Sequence, residues 1–149
     1  MPEAMQPFLT VRDLLGMVAE LHAVTVRRLA AGVGTAEDLR RRVLRNYLEA
    51  REREQLRAIT RLRVGDDEAL GCFVQGAPVA SFASACAIDV TVGDLDRMAD
   101  GYLRRELVLE RCFEQLQAGV GPRAEAIFAN LVAMKQQNQA RLREAMLDF

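Results

Sequence analysis

One histidine, His22, and one lysine, Lys135, are all that the chain has of either residue. Three cysteines, Cys72, Cys86 and Cys112, are an odd number, and their spacing fits neither a zinc knuckle nor a CxxC redox pair. They read as reduced thiols, which places the protein in the cytoplasm. A glycine-rich phosphate loop of the GxxxxGKS or GxxxxGKT kind is missing, and no serine or cysteine has a recognisable base partner. Nucleotide binding and nucleophilic catalysis therefore find little support. The N-terminus has no basic segment followed by an apolar core, so a secretory signal is not expected. No apolar run reaches bilayer length, and the stretch from Phe82 to Val92 is short and interrupted by Asp89. A formal net charge of -1 provides no global field for nucleic acid or an anionic membrane.

The charge that is present is mostly arginine. Its densest run, Arg40, Arg41, Arg42 and Arg45, is interleaved with acids and reads as a solvated helix face. Half of the 149 residues are apolar, enough for one domain with a sizeable core. Their spacing is helical. Val11, Leu14, Val18, Leu21, Thr25 and Leu29 recur three and four apart and share one stripe. Thr10 and Asp13 form a capping start before this helix, and Gly32 and Gly34 stop it. The same grammar recurs later: Thr91-Val92-Gly93-Asp94-Leu95 echoes Thr10-Val11-Arg12-Asp13-Leu14, and Leu116 to Gly121 echoes Leu29 to Gly34.

These signals predict an all-α, antiparallel four-helix bundle of two helical hairpins joined by a long crossover. Residues 1–9 form a loose arm and 10–149 a single domain. The helices span about 10–31, 35–63, 91–118 and 122–148, and Pro122 suits the first turn of the last. The crossover, 64–90, is too apolar for a disordered spacer and packs along the bundle, with one helical turn between Val79 and Ala87.

Helical pitch puts a few polar residues on the apolar stripes: His22, Arg51, Gln55, Glu106, Asn138 and, at the margin, Glu110. All lie near mid-helix, so they predict a polar belt halfway along the core. Arg51 facing Glu106 or Glu110 would neutralise a buried acid, and Arg51→Met is expected to destabilise the fold by roughly 3–5 kcal/mol.

The segment Leu21 to Ala30 followed by Arg42 to Glu52 resembles the first hairpin of ferritin-like, in particular rubrerythrin-like, bundles. Phe113-Glu114-Gln115-Leu116 and Ile127 to Met134 resemble the second, and the similarity covers most of residues 10–148. That resemblance implies two irons or manganese ions and oxidation, peroxide reduction or iron storage. It matches Glu52 to a carboxylate ligand of the second helix and Glu106 or Glu110 to that of the third. Gln55, Lys135 and Asn138 depart from the ligand pattern, and Glu20 turns away from the stripe while His22 faces in. Neutral amides and a protonated lysine are poor ligands for iron.

The leading expectation is thus a non-catalytic bundle with no cofactor, in which ion pairs replace the di-metal centre. It would be structural or partner-binding and self-associate as a homo-dimer or other homo-oligomer, with the exposed crossover, Val108, Phe128 and Val132 as interface. Nucleic acid and membrane are not expected partners. One alternative is a di-iron or manganese oxidoreductase or metal-binding protein with an unusual site of His22, Glu52, Glu106 and Glu110. Another is a small anionic ligand held in the bundle by Arg51.

Overall fold

A computed structural model describes residues 9–32, 37–74 and 77–149, with backbone alone for 77–79. Most of these residues are helical. In chain order the elements are β1 (Leu9–Thr10), α1 (Val11–Ala31), α2 (Leu39–Leu62), α3 (Asp67–Leu70), β2 (Phe73–Val74), α4 (Ala77–Cys86), α5 (Leu95–Gly119) and α6 (Pro122–Met146). No helix among them is long and apolar enough to cross a membrane.

Thr10 caps α1 as its sequence suggests. Its hydroxyl accepts from the Asp13 amide at 3.1 Å, and the Asp13 carboxylate accepts from the Thr10 amide at 3.1 Å. This reciprocal pair satisfies two backbone donors that the helix start would otherwise leave free. Gly32 closes the helix, its amide donating to the Leu29 carbonyl. Gly34, Thr35, Gly76 and the arm 1–8 lie outside the described residues. Leu9 of the arm is described, and it pairs antiparallel with Val74 in a two-residue ribbon absent from the sequence reading.

The second copy of the capping signal works differently. Thr91 does not begin a helix. Its amide and hydroxyl both donate to Asp89 Oδ1, at 2.9 and 2.6 Å. Gly93 has φ 91°, a left-handed value that breaks any helix running through it. Asp94 is the cap instead, accepting from the Arg97 amide at 3.0 Å, so α5 starts four residues later than expected. Asp38 likewise caps α2, accepting from the Arg41 amide at 2.8 Å. The crossover carries more structure than one turn, namely α3, β2 and the ten-residue α4.

Half of the arginine run is also tied down. Arg41 donates to the carbonyls of Gly93 and Thr91, each at 2.9 Å. Arg45 is buried and donates to Glu37 Oε1 through Nε at 2.8 Å and through its terminal nitrogen at 2.6 Å. Arg41 thus clamps the end of the crossover to the start of α2, and Arg45 ties α2 to Glu37 and the Leu29 carbonyl, while Arg40 and Arg42 remain exposed. Backbone carbonyls are acceptors that spacing along one helix does not reveal, which is why the run read as wholly solvated.

Two apolar clusters form the core. One joins Val11, Leu14 and Val18 of α1 to Ile59 of α2, Leu109 and Phe113 of α5, and Phe128 and Leu131 of α6. The other joins Leu29, Leu44, Leu48, Met98, Tyr102 and Leu142. Phe128 is fully buried, and Val108 and Val132 pack against the first cluster. The expectation of an interface is corrected for Phe128 alone, whose side chain fills the interior; Val108 and Val132 keep part of their surface exposed.

Candidate functional site: a buried ion layer

Between the two apolar clusters, α1, α2, α5 and α6 each contribute polar side chains from the middle of their length. His22, Glu52, Gln55, Arg105, Glu106, Lys135 and Asn138 are all buried, none more than 2% exposed. Leaving a charge in such a place is costly unless it is matched and hydrogen-bonded. Here two carboxylates, Glu52 and Glu106, face two cations, Arg105 and Lys135.

Lys135 Nζ sits at the centre of one half. It lies 2.7 Å from Gln55 Oε1, 3.1 Å from His22 Nε2, and 3.2 Å from both oxygens of Glu106. An ammonium has three donors and no acceptor. Three acceptor groups converge on it, so each proton has a partner. The geometry thereby assigns the imidazole tautomer: Nε2 accepts from Lys135, and Nδ1 carries the proton it donates to Glu52 Oε2.

Arg105 holds the other half. Its guanidinium donates to Glu52 Oε1, to Glu106 Oε2 at 3.1 Å and to Thr25 Oγ1 at 3.0 Å. The same group lies 4.9 Å from the centre of the Tyr102 ring, in cation–π contact. Among the described residues, Arg105 Nε is the only buried side-chain nitrogen or oxygen without a hydrogen-bond partner. Tyr102 closes the layer toward the second apolar cluster, its hydroxyl accepting from Asn138 at 3.0 Å and Gln55 at 3.2 Å. Asn138 also donates to Glu106 Oε1 at 2.9 Å.

Burial alone would raise both carboxyls. Arg105 and His22 outweigh it at Glu52, and Lys135 and Arg105 outweigh it at Glu106, so both stay below the usual carboxylate range. For His22 the balance reverses: burial lowers the imidazole more than Glu52 raises it, which keeps the ring neutral. Burial likewise lowers Lys135, against the pull of Glu106. Arg105 is raised, because Glu52 and Glu106 overcome its burial. With a neutral imidazole the layer sums to zero charge.

Of the sequence-predicted belt, His22, Gln55, Glu106 and Asn138 lie in this layer. Arg51 and Glu110 do not. Arg51 lies at the rim, 15% exposed, donating to Asn138 Oδ1 at 2.9 Å and to Glu54 at 3.2 Å. Among the described residues it pairs with neither Glu106 nor Glu110, and its guanidinium is engaged by Asn138 and Glu54. Glu110 is half-buried and accepts from Gln136 at 3.0 Å and Gln139 at 2.7 Å. The buried guanidinium is Arg105, one residue before Glu106, and sequence reasoning passed it over. A signal was there: Tyr102, Arg105 and Leu109 follow one another at three and four residues on the same stripe.

The residues do not suit a pair of metal ions. Glu110, one of the four proposed ligands, is outside the layer, and both nitrogens of His22 are engaged. An ammonium and a guanidinium sit against the remaining carboxylates, where a divalent cation would meet repulsion. Among the described residues no three histidine, cysteine, aspartate or glutamate side chains are grouped to hold a metal. Cys112, the buried thiol, is pushed up to about 11 by burial and is a poor nucleophile at neutral pH.

No protein-family model, no curated protein and no solved structure matches this chain.

Proposed function

We propose that this chain is a ferritin-like four-helix bundle that works without a metal centre, as a structural or binding module rather than an oxidoreductase. The carrying observation is the pair of internal cations: Lys135 and Arg105 neutralise Glu52 and Glu106, the two carboxylates that metal ions would otherwise need.

The order of residues in the two apolar clusters supports the bundle. Along α1 and α6 the chain passes from the first cluster to the second, whereas along α2 and α5 it passes from the second to the first. So α1 and α2 run antiparallel, as do α5 and α6, and α2 and α5 run in the same direction. A connection between two parallel helices has to travel their full length, which accounts for a crossover of this size and for its apolar content.

Metal loading tests the proposal. Chain purified without chelator, then equilibrated with Fe(II), Mn(II) or Zn(II) and desalted, is expected to retain well under one ion per molecule and to melt at an unchanged temperature. Stoichiometric metal that disappears in Glu52→Gln or Glu106→Gln, with a melting temperature that rises on loading, would reject it.

A further inference from the structure

Outside the ion layer the described residues form a cavity between α1 and the connection that runs from α4 to α5, with a volume of about 540 Å³. It arises because α4 packs on α5 rather than on α1. Met17, Leu21 and Val24 of α1 are therefore only half-buried, and they look across the cleft at Phe82, Ile88 and Val90. The volume falls in the range of small-molecule sites, and the walls are mainly apolar, as such sites require.

The charged residues at this cleft are three carboxylates, Asp13, Glu20 and Asp89, against one guanidinium, Arg28. Asp13 and Asp89 are held ionised. Thr10 bonds keep the first below the usual range, and Thr91 bonds do the same for the second. Glu20 is largely exposed, with Arg27 3.6 Å away. With Arg27 offsetting Glu20, the acidic character of the rim rests on Asp13 and Asp89, and an apolar slot edged by these carboxylates complements a molecule that is greasy along its length and positive at one end.

We propose that the α1–α4 cleft binds a small amphiphilic amine, its apolar body against Met17, Leu21, Val24 and Phe82 and its ammonium group at the acidic rim. The cleft meets the ion layer at Thr25, whose hydroxyl accepts from Arg105, but its lining includes none of the layer's charged side chains, and the site holds whether or not the chain has lost a metal centre. Cys86, exposed at the cleft, provides a reporter.

The test uses the full chain with decylamine and decanoate as probes, both below their micellar concentrations. Calorimetry is expected to give one saturable decylamine site, with decanoate binding at least about tenfold more weakly. Bound decylamine should slow alkylation of Cys86, followed by mass mapping so that Cys72 and Cys112 serve as internal controls. Val24→Trp, which fills the slot from a half-exposed position, should abolish binding while the chain melts as before. Glu20→Gln with Asp89→Asn should reduce the preference for amine over carboxylate severalfold while leaving some affinity from the apolar walls. If Val24→Trp itself unfolds the chain, the two rim substitutions and Cys86 protection still decide the matter. No saturable binding up to about 1 mM, equal or tighter binding of decanoate, or undiminished binding to a folded Val24→Trp variant would each overturn the proposal.

Discussion

Arg105→Met should lower the unfolding free energy by about 3–5 kcal/mol in urea titration. Methionine keeps most of the side-chain length, so the loss isolates the guanidinium rather than the packing. Its removal leaves Glu52 with His22 as its only partner and leaves two buried carboxylates facing one ammonium. A buried ion that loses its counter-ion keeps the whole desolvation penalty, which is why breaking a pair costs more than the pair contributes. The second variant in the series is the double substitution Glu52→Gln with Arg105→Met. It restores neutrality, because Glu106 and Lys135 remain matched, and the His22 proton still has an oxygen to bond. We expect it to recover at least half of the lost stability, giving a positive coupling between the two positions. Arg51→Met, at the rim of the layer, should cost only about 1 kcal/mol, the usual worth of one hydrogen bond. If Arg51→Met and Arg105→Met prove equal, the buried cation has been misassigned.

Acid should weaken the fold in two stages, beginning at a pH where carboxylates are still ionised. The first stage belongs to His22. Its ordinary value is 6.5, and burial pushes the folded ring below that. Between 6.5 and its folded value, the unfolded chain therefore binds a proton that the folded chain refuses. Stability contributed by the neutral ring is complete above 6.5 and falls as the pH drops below it, by up to about 1.4 kcal/mol per pH unit while the folded ring stays neutral. The second stage belongs to Glu52 and Glu106, whose ordinary value is 4.5 and whose folded values are lower. Their share is complete above 4.5 and is lost as the pH falls further. Urea midpoints measured at intervals across this range should slope downward below 6.5 and steepen below 4.5. In His22→Gln the first slope should vanish and the second remain. A flat profile between those two values in the parent chain would contradict a buried neutral imidazole.

Local signals were the most legible part of this molecule. The Thr10–Asp13 cap and the proline that opens α6 each depend on a few adjacent residues and act as their chemistry suggests, whereas Gly32 ends α1 with φ -74°, a value open to any residue. The second threonine start misled because one residue in it, Gly93, adopts a left-handed turn and passes the cap to Asp94. Burial of His22, Gln55, Glu106 and Asn138 was visible from helical pitch. The choice of Arg51 over Glu52 was not decidable that way. From Leu48, a step of three reaches Arg51 and a step of four reaches Glu52, and both steps lie within a helical stripe. What selects Glu52 is the cation across the layer, and Arg105 is contributed by a helix more than fifty residues away in sequence. Lys135 follows the same logic. Leu131, Lys135, Asn138 and Leu142 form one stripe, but only the acceptors converging from three other helices make a core position tolerable for an ammonium.

The sole histidine makes the layer open to direct inspection, since its imidazole gives one pair of side-chain nitrogen signals. Nitrogen-15 NMR of the full chain near neutral pH should find a neutral ring with hydrogen on Nδ1 and a bare Nε2, unchanged when Zn(II) is added. A doubly protonated ring, or a bare Nδ1 whose signal moves with zinc, would mean that the ammonium and guanidinium do not fill this layer as described.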